Sequence, residues 1–449
     1  MLNTFLKSKI KFYQIVCMVG LLFIHNYNYS PCNLTPSTTI DASLSLGNFI
    51  ELLFSNSIFR FRIALLMAIS GYLMANSRVI AYQDLIIKKV RTLLLPYVFI
   101  SALGLLITFI FDITIFGNPN ILHTGMLGKS LIDFSIKDYF HYLFVAPVTF
   151  QLWYLKTIFL MAILSPAIRF ILNKIPVQAL AIMFVIWMFT NILDGESRDR
   201  AFIFYCFGFY LKMYEKDLTK PLPYFRPQFA LLMFVGISLL RTWLAFNHHI
   251  GFINIKYLLT ILFKVNEVFG VYAIWFCFDG VVAYILDQKW YSKVCNCSFF
   301  VYAFHAPLIN YIVTYLMMKN IYSIPYSHML TYIFLPLSLL PFLLTVDKII
   351  YGISPVMYFI ISGGRGESVA MPRMRNWIPS FNFKLIVPSI TIPIQNLTEE
   401  AINHINIAKH NLLNLITGFY LQIVSLRNIS FEQFADIGNS TRIRYLSSG

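Results

Sequence analysis

Residues 11–30 read KFYQIVCMVGLLFIHNYNYS. The apolar run that starts at Phe12 ends at a histidine and a polar tail. At about 1.5 Å rise per residue it approaches the roughly 30 Å needed to cross a hydrocarbon core. Lys7, Lys9 and Lys11 stand before it, as in a secretory signal, but HNYNYS offers no small-residue cleavage site. The segment is therefore read as an uncleaved first transmembrane helix, and a chain that opens this way has to be laid out in a bilayer.

The remainder agrees. Of the 449 residues 58% are hydrophobic and 12% charged, against roughly 45–50% and 25% in soluble domains. Long apolar runs recur near 12–29, 58–76, 93–116, 152–173, 176–193, 199–214, 228–246, 267–286, 296–318 and 327–346. They predict an all-α polytopic membrane helix bundle of about ten transmembrane helices over residues 1–366. The net charge is +15, yet the Lys and Arg are scattered in short loops and form no basic stripe with interleaved aromatics, so no nucleic-acid partner is expected. With the N-terminus inside, fifteen basic residues from Lys7 to Lys293 fall on one side and nine on the other. The positive-inside bias then makes both termini cytoplasmic, in a multi-pass protein whose first partner is the lipid bilayer.

Cys17, Cys206 and Cys277 lie in apolar segments, where free Cys behaves as a small hydrophobe. Cys295 and Cys297 form a lone CxC that is read as structural, and no metal is expected. After GGRGE at 363–367 the composition turns polar, and the tail 367–449 carries no recognisable motif. No internal repeat of the kind built into many transporters is visible.

Ionisable residues within spans cost a few kcal/mol each at the bilayer centre, so each is a candidate for function. His25, at the end of the first helix, has the one side chain whose unperturbed pKa suits proton transfer near neutral pH. It is either a general base or an interfacial histidine bonded to a carbonyl or headgroup. Gln14, eleven residues earlier, falls about 20° around the helix and roughly 16 Å deeper, and Lys11 lies on nearly the same face. Arg60 and Arg62, two apart, point to different sides of a regular helix. They meet an anion or an acid, or they anchor the helix end by snorkelling. Ser298, Tyr302 and His305 share a face by i, i+4, i+7 spacing, which lines a cavity or supplies interhelical hydrogen bonds. Trp153, ahead of Lys156 in the fourth span, is a substrate-contact candidate or part of an aromatic belt. Arg241 and Asp279 are expected to be ion-paired or hydrated.

Several separated segments, LLFIH at 21–25, FRFRIALLMAISGYL at 59–73, KKVRTLLLPY at 88–97, LWYLKTIFLMAILSPAI at 152–168, SFFVYAFHAPLI at 298–309 and SPVMYFIISGGR at 354–365, occur in an order that resembles the acyltransferase 3 family of integral-membrane acyltransferases. The resemblance implies transfer of an acyl group, commonly acetyl, from acyl-CoA to a hydroxyl of a carbohydrate, as in O-acetylation of a surface polysaccharide at a bacterial-type cell membrane. No cofactor is held permanently; acetyl-CoA or another acyl-CoA is the donor substrate. The family's essential His and RxR pair correspond to His25 and to Arg60 with Arg62. Where the family usually has Arg, eleven residues before the His, this chain has Gln14, and Lys11 on the same face would supply the positive charge.

The expected mechanism has His25 as general base on the acceptor hydroxyl, Arg60 or Arg62 stabilising negative charge, and Gln14, Lys11, Trp153, Ser298, Tyr302 and His305 contacting substrate. A transporter or flippase of a carbohydrate or anionic solute is the competing reading. A third is an acyltransferase for a lipid, peptide or small metabolite.

Overall fold

A computed structural model describes residues 4–26, 34–41, 43–76, 82–114, 134–189, 196–247, 254–319, 321, 324 and 326–364. The expected tail 367–449 lies outside them, as do Cys32, Arg78 and Lys129. The described residues are helical throughout their regular structure. The helices are α1 (Thr4–Ile24), α2 (Leu46–Ala75), α3 (Tyr82–Ile110, continuing to Thr114), α4 (Ile136–Phe140), α5 (Phe150–Lys174), α6 (Pro176–Phe189) and α7 (Glu196–Met213). They continue with α8 (Pro227–Phe246), α9 (Ile255–Cys277), α10 (Asp279–Leu286), α11 (Tyr291–Asn296), α12 (Ser298–Met318), α13 (Ser327–Ile353) and α14 (Pro355–Ser362).

Six of these, α2, α3, α5, α8, α9 and α13, are long and apolar enough to cross a membrane. Their outward faces carry large apolar side chains such as Leu106, Phe170, Leu232 and Phe334, which in a bilayer meet lipid. The helices α1, α7 and α12 pack among them, with α6 against α5 and α7.

Four runs depart from regular α geometry, one of them the π turn His141–Val145 that follows α4. In α2 the stretch Leu53–Ser57 is π-helical and Ile58–Arg60 is a 3-10 turn, so the turn carrying Arg60 is wound differently from the one carrying Arg62. In α3 a π turn at Val90–Leu94 precedes Pro96. A proline ring clashes with the carbonyl four residues back, here Thr92, and widening that turn relieves the clash. The last is α5, whose first turn, Phe150–Leu152, is a 3-10 turn.

The expected span 267–286 is displaced. The chain is continuous over Ile255–Cys277, leaves helical geometry at Phe278 and restarts as α10. Lys264 and Glu267, read as a loop charge and a helix edge, are instead 5% and 1% exposed inside α9. They are tolerated because partners on α6 and α7 meet them, which a one-dimensional hydropathy reading cannot register. At the other end, α1 begins at Thr4, so Lys9 belongs to a helix and is buried rather than lying in a cytoplasmic tail. It pairs with Asp279 at 2.5 Å and sits 4.6 Å from the Trp275 ring centroid. Asp279 is thus ion-paired, as expected.

The closest helix crossing joins α2 to α7 through two glycines. A Cβ on Gly71 would stand 1.9 Å from the Tyr205 carbonyl oxygen, and one on Gly208 would stand 1.9 Å from that of Ala68. Small residues let backbones approach this closely, which is how helices associate where water provides no hydrophobic drive. Gly71→Ala and Gly208→Ala should therefore each lower the stability of the detergent-solubilised protein by about 1–3 kcal/mol or more. Gly236→Ala, with open space at its Cβ, should leave the melting temperature unchanged or raise it. Equal melting temperatures for all three variants would contradict the crossing.

Candidate functional site

The last turn of α1 is fixed from two sides before His25 is reached. Ser55 Oγ donates to the Phe23 carbonyl at 3.3 Å and meets the Tyr332 hydroxyl at 2.8 Å. Asn26 Nδ2 donates to the carbonyls of Thr331 (2.9 Å) and Tyr332 (3.1 Å), tying the helix end to α13. His25 stands between these anchors, half-buried, its backbone N–H closing the helix on Leu21 at 3.2 Å.

The His25 ring lies between two others. Phe150 meets it edge to face at 5.0 Å, and His305 lies 5.3 Å away with the ring planes 36° apart. Both neighbours belong to one clamp. Gln151, buried in the 3-10 turn of α5, donates from Nε2 to the Ala303 carbonyl at 2.8 Å, and its own carbonyl accepts from the Tyr302 hydroxyl at 2.6 Å. Two long-range hydrogen bonds thus fix the turn bearing Phe150 against the turn of α12 bearing His305. In lipid such bonds have no water to compete with them.

One side of this centre is cationic. Arg62 is 4% exposed, lies close enough to act on the His25 charge, and has an Nε with no hydrogen-bond acceptor among the described residues. Arg60, half-buried, also acts on the His25 charge, and its donors are spent on backbone carbonyls. Its Nε donates to the Ser55 carbonyl at 3.2 Å and Nη2 to the Leu34 carbonyl at 2.5 Å, which straps the 34–41 segment onto the bundle. Arg241 completes the strap, donating from Nη2 to the Pro36 carbonyl at 2.7 Å and from Nη1 to the Asn56 carbonyl and the Ser57 hydroxyl. Deeper on the same side Arg200 and Glu267 form an ion pair at 2.9 Å, each 1% exposed, and Lys264 donates to the Trp187 carbonyl at 2.6 Å at the end of α6.

The other sequence candidates are distributed differently. Tyr302 commits its hydroxyl to the clamp, so it serves as interhelical glue. Ser298, at the start of α12, is half-buried and seven residues from His305, about 10 Å along the helix. Trp153 packs against the second apolar core cluster, beside Tyr154, whose hydroxyl meets Ser70 Oγ at 3.0 Å. Lys156 reaches the Val145 carbonyl. Gln14 is half-buried and Lys11 exposed, about three and about four turns from His25 respectively. Ring contact joins His25 to His305, with Arg62 and Arg60 both near enough to act on the His25 charge, while no contact with that ring is found for Lys11, Trp153 or Ser298 among the described residues. Gln151 was not singled out in the sequence. Its signal was an amide inside an apolar entry, FQLWYL.

At the end of the bundle where α1 begins lies a cavity of about 730 Å³. Its walls are largely apolar and aromatic, including Tyr72, Tyr272, Trp275 and Phe276, and it reaches Leu65, one turn along α2 from Arg62. The loop after α7 covers its mouth with Lys216, Asp217 and Lys220. Thr219 donates to Asp217 from its N–H (2.9 Å) and its hydroxyl (2.6 Å), which holds that carboxyl below the usual carboxylate range. The volume falls within the range of small-molecule sites.

The model of a family described as an acyltransferase domain, acyltransferase 3, matches residues 9–347. That match takes in α1 through most of α13. No curated protein and no solved structure was found to match the chain.

The Arg200–Glu267 pair generates a stability prediction. Glu267→Gln removes the carboxylate and leaves a buried guanidinium uncompensated, so it should cost about 3–5 kcal/mol. Glu215→Gln, at an exposed pair with Lys212, should cost less than about 1 kcal/mol. Thermal unfolding of the purified variants checks both, and matching melting temperatures would refute the difference.

Proposed function

The chain belongs to the acyltransferase 3 family and is a membrane acyltransferase, and from that premise we propose that it moves an acetyl-type group from acetyl-CoA to a hydroxyl of a carbohydrate across the cell membrane. The observation that carries the chemistry is the juxtaposition at the end of α1. An imidazole in ring contact with His305 lies within electrostatic range of a buried guanidinium that lacks an acceptor at Nε among the described residues.

In this reading both termini are cytoplasmic, and the cavity beneath Arg62 admits the donor from that face. Lys216 and Lys220 attract its phosphates, and the aromatic walls take the pantetheine arm. His25 removes the proton from the acceptor hydroxyl as its oxygen attacks the thioester carbonyl. Arg62 donates to the oxygen that becomes negative in the tetrahedral intermediate; a guanidinium is permanently charged and its hydrogen bonds to anions are strong. The intermediate collapses with loss of the coenzyme A thiolate, which takes the proton from His25. The products are an ester and free thiol, and His25 returns to its starting state. Arg60 holds the 34–41 strap that covers the centre. The half-buried amide of Gln14 contacts the donor between cavity and base.

His25→Ala and His25→Gln should both insert normally and lose about 10²–10⁴-fold in transfer of label from acetyl-CoA. Gln keeps hydrogen-bonding capacity but cannot accept the proton. Near-native turnover in an inserted His25→Gln protein would remove His25 from the chemistry. Lys216→Glu with Lys220→Glu should raise the KM for acetyl-CoA severalfold while kcat stays near native, because surface charges act on donor capture more than on the chemical step. An unchanged KM would place the donor elsewhere.

A further inference from the structure

His305 is fully buried in α12. Its Nδ1 lies 2.9 Å from the Tyr302 carbonyl oxygen and 3.1 Å from that of Val301. A carbonyl only accepts, so Nδ1 carries the hydrogen, and in the neutral ring Nε2 is bare. No donor reaches that Nε2 among the described residues. Buried polar atoms in native proteins almost always have partners, so an isolated acceptor of this kind needs a reason. The ring standing against it is that of His25, centroid to centroid 5.3 Å. At this separation two imidazoles turned with their nitrogen-bearing edges toward each other place those nitrogens about 3 Å apart, a hydrogen-bond distance.

A neutral histidine has two tautomers, and the hydrogen bond made by one ring nitrogen decides which the other adopts. The groups placed around the His25 ring differ in what they can do. Arg62 only donates, Phe150 presents a ring edge, and His305 offers a bare lone pair. We propose that His305 is a positioning residue whose Nε2 accepts a hydrogen bond from His25, fixing the His25 tautomer so that its other nitrogen is bare toward the acceptor hydroxyl. The same hydrogen bond strengthens when His25 holds the transferred proton, since an imidazolium donates more strongly than a neutral ring. This inference rests on the acyl-transfer reading given above. It leaves the proton balance unchanged: the hydroxyl proton passes to His25 and then to the leaving thiolate, and His305 is never protonated.

The test uses three substitutions in the full chain, reconstituted in lipid and assayed with acetyl-CoA as labelled donor. His305→Gln places an amide oxygen near the Nε2 position and keeps an acceptor facing His25. His305→Asn is polar but too short to reach it. His305→Leu fills the space without an acceptor. The expected result is that Gln retains kcat within about tenfold of native, while Asn and Leu lose about 10²-fold or more. The KM for acetyl-CoA should change less than about threefold in all three, because His305 does not hold the donor. If Leu fails to insert, the Gln and Asn comparison still decides. Native-like turnover in Asn, or a loss in Gln as deep as in Asn, overturns the inference. Running His25→Gln in parallel separates the two levels. If it is inactive and His305→Asn is native-like, only the positioning role falls. If it turns over normally, the catalytic assignment of His25 falls and the role of His305 falls with it.

Discussion

Inside a bilayer a side-chain amide has only protein to bond with, and Gln151 answers that constraint by tying α5 to α12 at two points. The positions of Phe150 and His305 follow from this tie, and the ring of His25 is held between them. On the opposite flank Ser55 and Asn26 bond across to Phe23, Thr331 and Tyr332, so the end of α1 is fixed by helices that come from three distant parts of the sequence. In the proposed reaction a base placed this way would lose little freedom when substrate arrives, which is how preorganised groups contribute to rate.

The buried cations obey the same constraint with different partners. Arg241 and Lys264 are neutralised mainly by carbonyl dipoles, Arg200 by a carboxylate, and Lys9 by Asp279 together with the faces of Trp275 and Phe276. Against these, Arg62 stands out, since no hydrogen bond or ion pair to it is found among the described residues although it is 4% exposed. The cost of leaving such a group unsatisfied is of the order of a few kcal/mol. In the proposed mechanism a substrate oxygen that gains negative charge would offset that cost. The cavity at the end where α1 begins reaches Leu65, one turn along α2 from Arg62.

Much of this was legible in the sequence, and the parts that were not share a cause. Apolar runs mark most of the helices, since 20-odd uncharged residues have few alternatives to a span. His25, Arg60, Arg62 and His305 were visible as polar residues in apolar surroundings. Sequence spacing did not show that Arg60 lies in a 3-10 turn and donates to the Ser55 and Leu34 carbonyls. It could not find that Tyr302 serves the clamp, or that Gln151 is its partner, because those bonds join positions about 150 apart in the chain. The shift of the 267–286 span to 255–277 has the same origin. Lys264 and Glu267 read as helix-ending charges when taken alone, yet they are interior once Arg200 and the carbonyls of α6 meet them. Lys9 was read with the cytoplasmic charges because its partner, Asp279, lies 270 positions away.

The central claim is that the acyl group passes through the bundle, from a donor bound below Arg62 to a hydroxyl at the His25 end. The most direct measurement places the two substrates on opposite faces. Proteoliposomes would carry neutral oligosaccharides sealed inside and acetyl-labelled acetyl-CoA added only outside, with ester-linked label in the enclosed sugar as the readout. The account predicts that the enclosed oligosaccharide becomes acetylated while acetyl-CoA stays outside, and that one equivalent of free coenzyme A appears outside per ester formed. Label confined to oligosaccharide on the donor's own face, or passage of unmodified sugar with no acetyl-CoA consumed, would contradict it.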